Sequence, residues 1–176
     1  MTRQAGLLMT MTKKVRLNRK NGLADKAALL IATGLGAGRL PLAPGTWGSL
    51  AAIPICLGFA IHSLLVELSF LLLLSAFSVW AAGRASKIIG RDDPPEVVID
   101  EVAGMAFALA FVHLDLYRIA AAFLFFRIFD IIKPFPIDYI DRNISGGFGI
   151  VFDDIIAGIE ANAALNLMEY LLNHLW

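Results

Sequence analysis

Between Gly48 and Gly83 the chain is apolar almost without interruption, broken only by His62, Glu67 and a few serines. A membrane span takes ~20 residues, so this run is too long for one and about right for two. Two helices are expected near 48–62 and 66–83, with the break near His62–Glu67 and a kink at Pro54. Composition agrees. The chain has 176 residues, 58% hydrophobic and 17% charged, with mean hydropathy +0.71. A soluble domain is nearer half apolar and ~25% charged. The length is that of one domain, and the composition places that domain in a bilayer.

The remaining apolar stretches also read as helices. "AALLIAT" predicts a short helix from Ala24 to Thr33. "GLGAGRLPLAPGTWGS" follows and is too rich in Gly and Pro for a helix or strand interior. "GRASKIIGRDDPPE", residues 83–96, reads as a polar loop. A helix is expected from Glu96 to Val112 and another from Leu116 to Ile132. Pro134 and Pro136 end the second, since proline removes a donor and disfavours helix in the residue before it. Residues 137–149 read as a polar, Gly-rich connector, and a last helix runs from Ile150 to Leu175. No strand alternation is present. The fold class is therefore all-α, a multi-helical membrane-embedded bundle with Gly/Pro-rich interfacial loops.

Net charge is zero but unevenly spread. Residues 1–26 carry seven basic groups and one acid, and the other 150 residues carry eight basic groups and 14 acids. A basic segment beside a membrane helix reads as cytoplasmic. Residues 1–24 are expected to be a flexible cytoplasmic leader, attracted to an anionic lipid surface, with one domain over 25–176. The apolar run after the leader ends at Arg39 rather than at a small-residue cleavage site, so a secretory signal is not expected. No nucleic-acid partner is expected. Cys56 is the single cysteine and lies in an apolar run, which excludes an intramolecular disulfide and a Cys-cluster metal site.

Three acidic clusters interrupt the apolar pattern: Asp100–Glu101 in "VVIDEVAGM", Asp130 in "FRIFDIIKP", and Asp153–Asp154 in "GIVFDDIIAGI". A charge at the bilayer centre costs ~2.5–3.5 kcal/mol on insertion scales. Groups that costly are expected to meet one another, a cation or water, and to mark a functional cavity. Arg127, Asp130 and Lys133 follow one another at i,i+3 spacing and would form a charged stripe. Glu101 shares a face with Gly104, and Asp154 with Gly158, so that a second helix can approach closely. Paired carboxylates without His or Cys suit a hard cation such as Mg²⁺, held by one or two carboxylates plus substrate phosphate. Arg127, Lys133 and Arg142 are placed to bind phosphate oxygens. The Gly/Pro segment ahead of a helix has the makings of an anion nest, with Arg39, Thr46 and Ser49 as added donors. It is not a Walker A loop. His62, His113 and His174 lie far apart and support no histidine chemistry.

Four segments together resemble the phosphatidylglycerophosphatase A family: "GLGAGRLPLAPGTWGSLAAIP" (34–54), "VVIDEVAGM" (97–105), "FRIFDIIKPFPI" (126–137) and "DRNISGGFGIVFDDIIAGI" (141–159). The likeness covers roughly residues 25 to 172. It implies a multi-pass, Mg²⁺-dependent lipid phosphatase of the bacterial inner membrane. The implied substrate is phosphatidylglycerophosphate and the product phosphatidylglycerol. The family's charged motif positions map onto Asp100, Glu101, Asp130, Lys133, Asp141, Arg142, Asp153 and Asp154, and its glycine-rich motif onto Arg39 through Ser49.

The expected chemistry is metal-assisted phosphomonoester hydrolysis. Asp100, Glu101, Asp153 and Asp154 are the expected Mg²⁺ ligands. Asp130, Lys133 and Asp154 are the expected catalytic groups, with Asp130 either a general base or the group that orients Lys133. Arg39, Thr46, Arg127, Lys133 and Arg142 are the expected phosphate binders. Either water or a carboxylate serves as nucleophile. The rival is a non-catalytic ion or proton carrier using the same buried acids. Against it, a cation path would not place Lys133 and Arg127 in its lining.

Overall fold

The computed structural model describes residues 22–59 and 63–175. The basic leader expected over residues 1–24 falls almost entirely outside them, as does the expected break at His62. Among the described residues every regular element is helical. In chain order these are α1 (Leu23–Ala32), a 3-10 turn (Gly34–Arg39), α2 (Pro44–Phe59), α3 (Leu64–Ile89), α4 (Ile99–Ala108), α5 (Leu116–Ile132), α6 (Ile137–Asn143) and α7 (Gly146–Leu175).

Several boundaries differ from the sequence expectation, each for a local reason. Helix α2 begins four residues before Gly48, because Pro44 suits the first helical position, where its missing N–H is no loss. Helix α3 continues past Gly83 through the supposedly polar "GRASKII". Its Ala85 and Ser86 are buried against the core. Gly90 then ends it in the left-handed conformation, its N–H donating to Ser86 O at 2.7 Å, a C-terminal arrangement that favours glycine. The 137–149 connector contains the short helix α6, and α7 starts at Gly146 rather than Ile150.

Of the two expected spans, α3 alone among the described residues is long and apolar enough to cross a bilayer, and little of its most apolar stretch is buried in the molecule. Leu65, Leu72, Leu73 and Phe77 point outward from it. Helix α2 has 16 residues, a rise of about 24 Å against a hydrocarbon core of ~30 Å. It is too short to do the same unaided.

The core is organised around α4. Eight of its ten residues are buried, and it packs against α2, α3, α5 and α7. Helix α7 is the second hub, touching α3, α4, α5 and α6. Side chains and backbone tie these helices end to end. Val98 N–H donates to Ala32 O at 2.8 Å, fixing the entry to α4 against the end of α1. At the other end, Asn162 of α7 donates to Ala108 O at 3.1 Å and to Ala110 O at 2.8 Å. It thereby satisfies carbonyls that a helix C-terminus leaves without partners. Asp115 caps α5 by accepting from Arg118 N–H at 2.9 Å, and Arg118 also pairs with Glu169 of α7.

Candidate functional site

Glycine sets the distance between the two hub helices. A Cβ on Gly104 would lie 2.6 Å from Asp154 O and 2.5 Å from Phe126 Cε2, and one on Gly158 would collide with the Gly104 carbonyl. Helices α4 and α7 therefore meet backbone to backbone, as small residues permit. The acids that share faces with these glycines are drawn together. Asp100 and Glu101 from the first turn of α4, and Asp154 from α7, each offer an oxygen within 4.8 Å of the others.

The Gly/Pro segment closes over this cluster. A Cβ on Gly45 would lie 2.9 and 3.2 Å from the two terminal nitrogens of Arg127 and would strike Glu101 Oε1. The first turn of α2 thus rests on the side chains of Glu101 and Arg127. Arg127 in turn forms an ion pair with Asp130 at 2.6 Å, and Asp130 is a close electrostatic neighbour of Asp154. One connected group results: Asp100, Glu101, Asp154, Asp130 and Arg127, roofed by Gly45.

The cluster is under electrostatic load. Burial pushes the Asp100 carboxyl well above its ordinary range, and the neighbouring Glu101 carboxylate adds to the push. Burial likewise raises Glu101, opposed by its hydrogen bond with Asp100 and by the Arg127 charge. Asp100 stays tied to the backbone by accepting from Glu101 N–H at 3.0 Å. Glu101 Oε2 is buried and has no hydrogen-bond partner. Orphaned carboxylate oxygen of this kind, in an all-oxygen donor set, fits a hard divalent cation.

The structure separates residues that sequence spacing had grouped. Asp153, an expected ligand beside Asp154, lies outside the three-acid cluster and pairs instead with Lys133, Nζ to Oδ2 at 2.8 Å. Lys133 does not continue the stripe of Arg127 and Asp130. It caps α5 in the left-handed conformation, φ 47° and ψ 62°, which turns its side chain off the helix face. Its Nζ reaches Asp141 Oδ1 at 2.7 Å as well. Burial works against the Lys133 charge, but hydrogen bonds to Asp141 and Asp153 hold its pKa above the usual lysine value. Asp141 is thus a further member of the charged network, legible from sequence only through the family motif.

The remaining expected phosphate binders lie at the margin. Thr46 is half-buried in the first turn of α2, next to Gly45, and Arg39 is exposed at the end of the 3-10 turn. Arg142 is mostly exposed and pairs loosely with Asp138 at 3.6 Å. Ser49 is committed to the fold: it is buried and donates to Gly45 O at 2.8 Å.

The family model described as phosphatidylglycerophosphatase A matches residues 30–169. Phosphatidylglycerophosphatase A of Escherichia coli strain K12 is 39% identical over 153 residues, 84% of each chain. The Haemophilus influenzae protein of the same name is 39% identical over 145 residues, 80% of this chain and 88% of its own. A Bacteroides thetaiotaomicron relative named putative phosphatidylinositol-3-phosphatase is 40% identical over 152 residues, 82% of this chain and 94% of its own. No solved structure matches the chain. The matched region contains α4, the acid-bearing part of α7 and the glycine-rich roof, and the chain belongs to the phosphatidylglycerophosphatase A family.

Proposed function

We propose that the protein is a Mg²⁺-dependent lipid phosphatase that converts phosphatidylglycerophosphate to phosphatidylglycerol in glycerophospholipid synthesis. The observation that carries this reading is the convergence of Asp100, Glu101 and Asp154 beneath Arg127. Family membership supplies the substrate class.

Asp100, Glu101 and Asp154 would hold Mg²⁺. When bound, it would supply Lewis-acid polarisation of a phosphoryl oxygen. The chain's own residues do the rest. Arg127 presents a guanidinium beside the cluster to take up charge on the transferring phosphoryl group. Asp130 holds Arg127 in place and, next to Asp154, is the group suited to accept a proton from an attacking water. Lys133, kept charged by Asp141 and Asp153, adds positive field at the cluster's edge. Thr46 and Arg39 extend the anion-binding surface along the α2 roof, and Arg142 along the start of α7.

The chain is membrane-associated in this reading, with α3 crossing the inner membrane and the other hydrophobic helices inserted beside it as a multi-pass bundle. Its basic residues indicate sidedness. Arg84 and Lys87 lie in the last two turns of α3, and Arg84 pairs with Asp25 at 2.5 Å. The chain leaving the leader therefore sits at the same end of the molecule as the C-terminus of α3. Positive charge at one end of a span favours the cytoplasm, which supports a cytoplasmic leader.

The test is phosphate release by the purified protein from phosphatidylglycerophosphate, with Mg²⁺ and with EDTA, beside Asp154→Asn. Release that needs both Mg²⁺ and Asp154 is expected. Absence of release in folded protein, or release indifferent to EDTA, would overturn the assignment.

A further inference from the structure

The three-acid cluster leaves much of the polar chemistry at this end of the fold unused. Beside it opens a cavity of about 440 Å³ lined by Asp92, Asp93, Asp141, Arg142, Asn143 and Asp153. It lies between the loop that follows α3 and the junction of α6 with α7. Asp93 feels the charges of Lys133, Asp141 and Asp130, and Asp153 adjoins Asp154, so the cavity borders the proposed reaction centre.

Its chemistry excludes the simplest occupants. Its four carboxylates outnumber the two cations at hand, Arg142 at the rim and Lys133 behind the wall, so the interior stays net negative and disfavours a phosphate group. The carboxylates also fail to converge on a cation: among the described residues, Asp100, Glu101 and Asp154 are the one set of three acids gathered within a metal's reach. Lys133 is already shared between Asp141 and Asp153. What remains is a wall of separated hydrogen-bond acceptors. One of them is conspicuously unsatisfied. The Asp153 side chain is only 7% exposed, its Oδ2 is held by Lys133, and its Oδ1 is buried with no hydrogen-bond partner. A buried acceptor without a donor is costly, and a hydroxyl group in the cavity would supply that donor.

We propose that this cavity binds the hydroxyl-bearing polyol of a phosphorylated lipid headgroup, with Asp153 Oδ1 accepting a hydrogen bond from a hydroxyl and Asp93 and Asn143 lining the place where the polyol sits, and so selects among phosphomonoester lipids. The proposal rests on the lipid-phosphatase reading and deepens it. A polyol is what links the two phosphates in phosphatidylglycerophosphate, and inositol presents the same chemistry with more hydroxyls. A site built to accept from a hydroxyl discriminates strongly against an analogue lacking it, because its buried acceptors are then left unpaired.

The experiment compares kcat/KM for phosphatidylglycerophosphate with that for its analogue in which hydrogen replaces the linking glycerol's hydroxyl. Wild type, Asp93→Ala and Asn143→Leu are each assayed as full-length, folded protein in mixed micelles. The expected wild-type preference for the hydroxylated lipid is at least about tenfold, falling toward one in both variants. A wild-type ratio near one overturns the proposal, as does a ratio retained in both variants or an equal loss on the two lipids. Should Asp93→Ala fail to fold, as read by its thermal transition, Asn143→Leu decides alone. No release from either lipid by wild type would overturn the phosphatase reading itself, a result distinct from release without discrimination. Phosphatidylinositol 3-phosphate in a third arm separates the two polyols: the headgroup with the larger fall on Asp93→Ala is the one the cavity holds.

Discussion

Lys133 and Asp153 form an ion pair, 2.8 Å from Nζ to Oδ2, that joins the end of α5 to the buried face of α7. The carboxylate is almost wholly removed from solvent, whereas the ammonium keeps some exposure. Removing one partner of such a pair leaves an uncompensated buried charge, at a cost of roughly 3 kcal/mol. Lys133→Met is therefore expected to lower the thermal transition in detergent substantially. Adding Asp153→Asn to that variant should restore much of the loss, since the stranded charge disappears. A double-mutant cycle on the thermal transition reads the coupling directly. Additive effects of the two changes would show that the pair is not coupled.

The glycines between α4 and α7 give a second test. A methyl group on Gly104 would press on Asp154 O and Phe126, and one on Gly158 on the Gly104 carbonyl. Backbone cannot yield as a flexible side chain does, so the helices must separate. Gly104→Ala and Gly158→Ala are each expected to cost about 1–3 kcal/mol as overpacking. Both should also depress phosphate release by drawing Asp154 away from Asp100 and Glu101. Gly58, in α2, has open space around its Cβ direction. Gly58→Ala should be neutral or slightly stabilising, because alanine is the better helix former. Equal tolerance at all three positions would disprove the backbone contact.

Sequence reading caught some of this and missed the rest for reasons visible at particular residues. Helix α5 was legible at both ends, from Leu116 to the prolines beyond Ile132. The hub contact was legible too, in the acid–glycine spacing of "DEVAG" and "DDIIAG". The short helix α6 was not, because among its residues only Ile137 is buried and the pattern carries no apolar stripe. Which acid of each pair does what was also hidden. Neighbouring helical residues point ~100° apart, so Asp154 turns toward α4 while Asp153 turns toward Lys133. Nothing in the order of the two letters says which is which. The stripe expected of Arg127, Asp130 and Lys133 failed at its last member, since i,i+3 spacing aligns side chains only while the backbone stays helical. Both helices expected within residues 48–83 are present, but α2, at 16 residues, is shorter than a full span, because apolar length alone does not reveal where the Gly/Pro roof ends and a helix begins.

The raised pKa of Asp100 and Glu101 sets a pH dependence for the metal-free protein. Burial favours their protonated forms in the folded state. The folded chain then binds more protons than the unfolded chain above the ordinary carboxylate pKa, ~4. Stability therefore falls as pH rises through that value toward the raised ones. In EDTA, the thermal transition should decline as pH rises above the ordinary carboxylate range. Mg²⁺ should flatten or reverse the decline, because a bound cation favours the ionised carboxylates. Asp154→Asn should weaken both effects. A transition that moves with pH identically in EDTA and in Mg²⁺ would argue against these acids as the cation site.

Gly45 separates positioning of the site from stability of the fold. Its missing side chain lets the first turn of α2 lie against Glu101 Oε1 and the Arg127 guanidinium. A methyl group there meets the far ends of two long side chains rather than backbone. The fold can therefore absorb it by swinging Glu101 and Arg127 aside, at little thermal cost. The cluster cannot absorb it without losing the geometry in which Glu101 faces Asp100 and Asp154. Gly45→Ala is thus expected to keep a near-native thermal transition and to lose phosphate release by about tenfold or more, the range assigned to misplaced catalytic groups. Its activation should also need more Mg²⁺, since one ligand is displaced. A variant that loses stability and activity together would show that the roof holds up the fold. One that loses neither would show that Glu101 and Arg127 are not held by α2 at all.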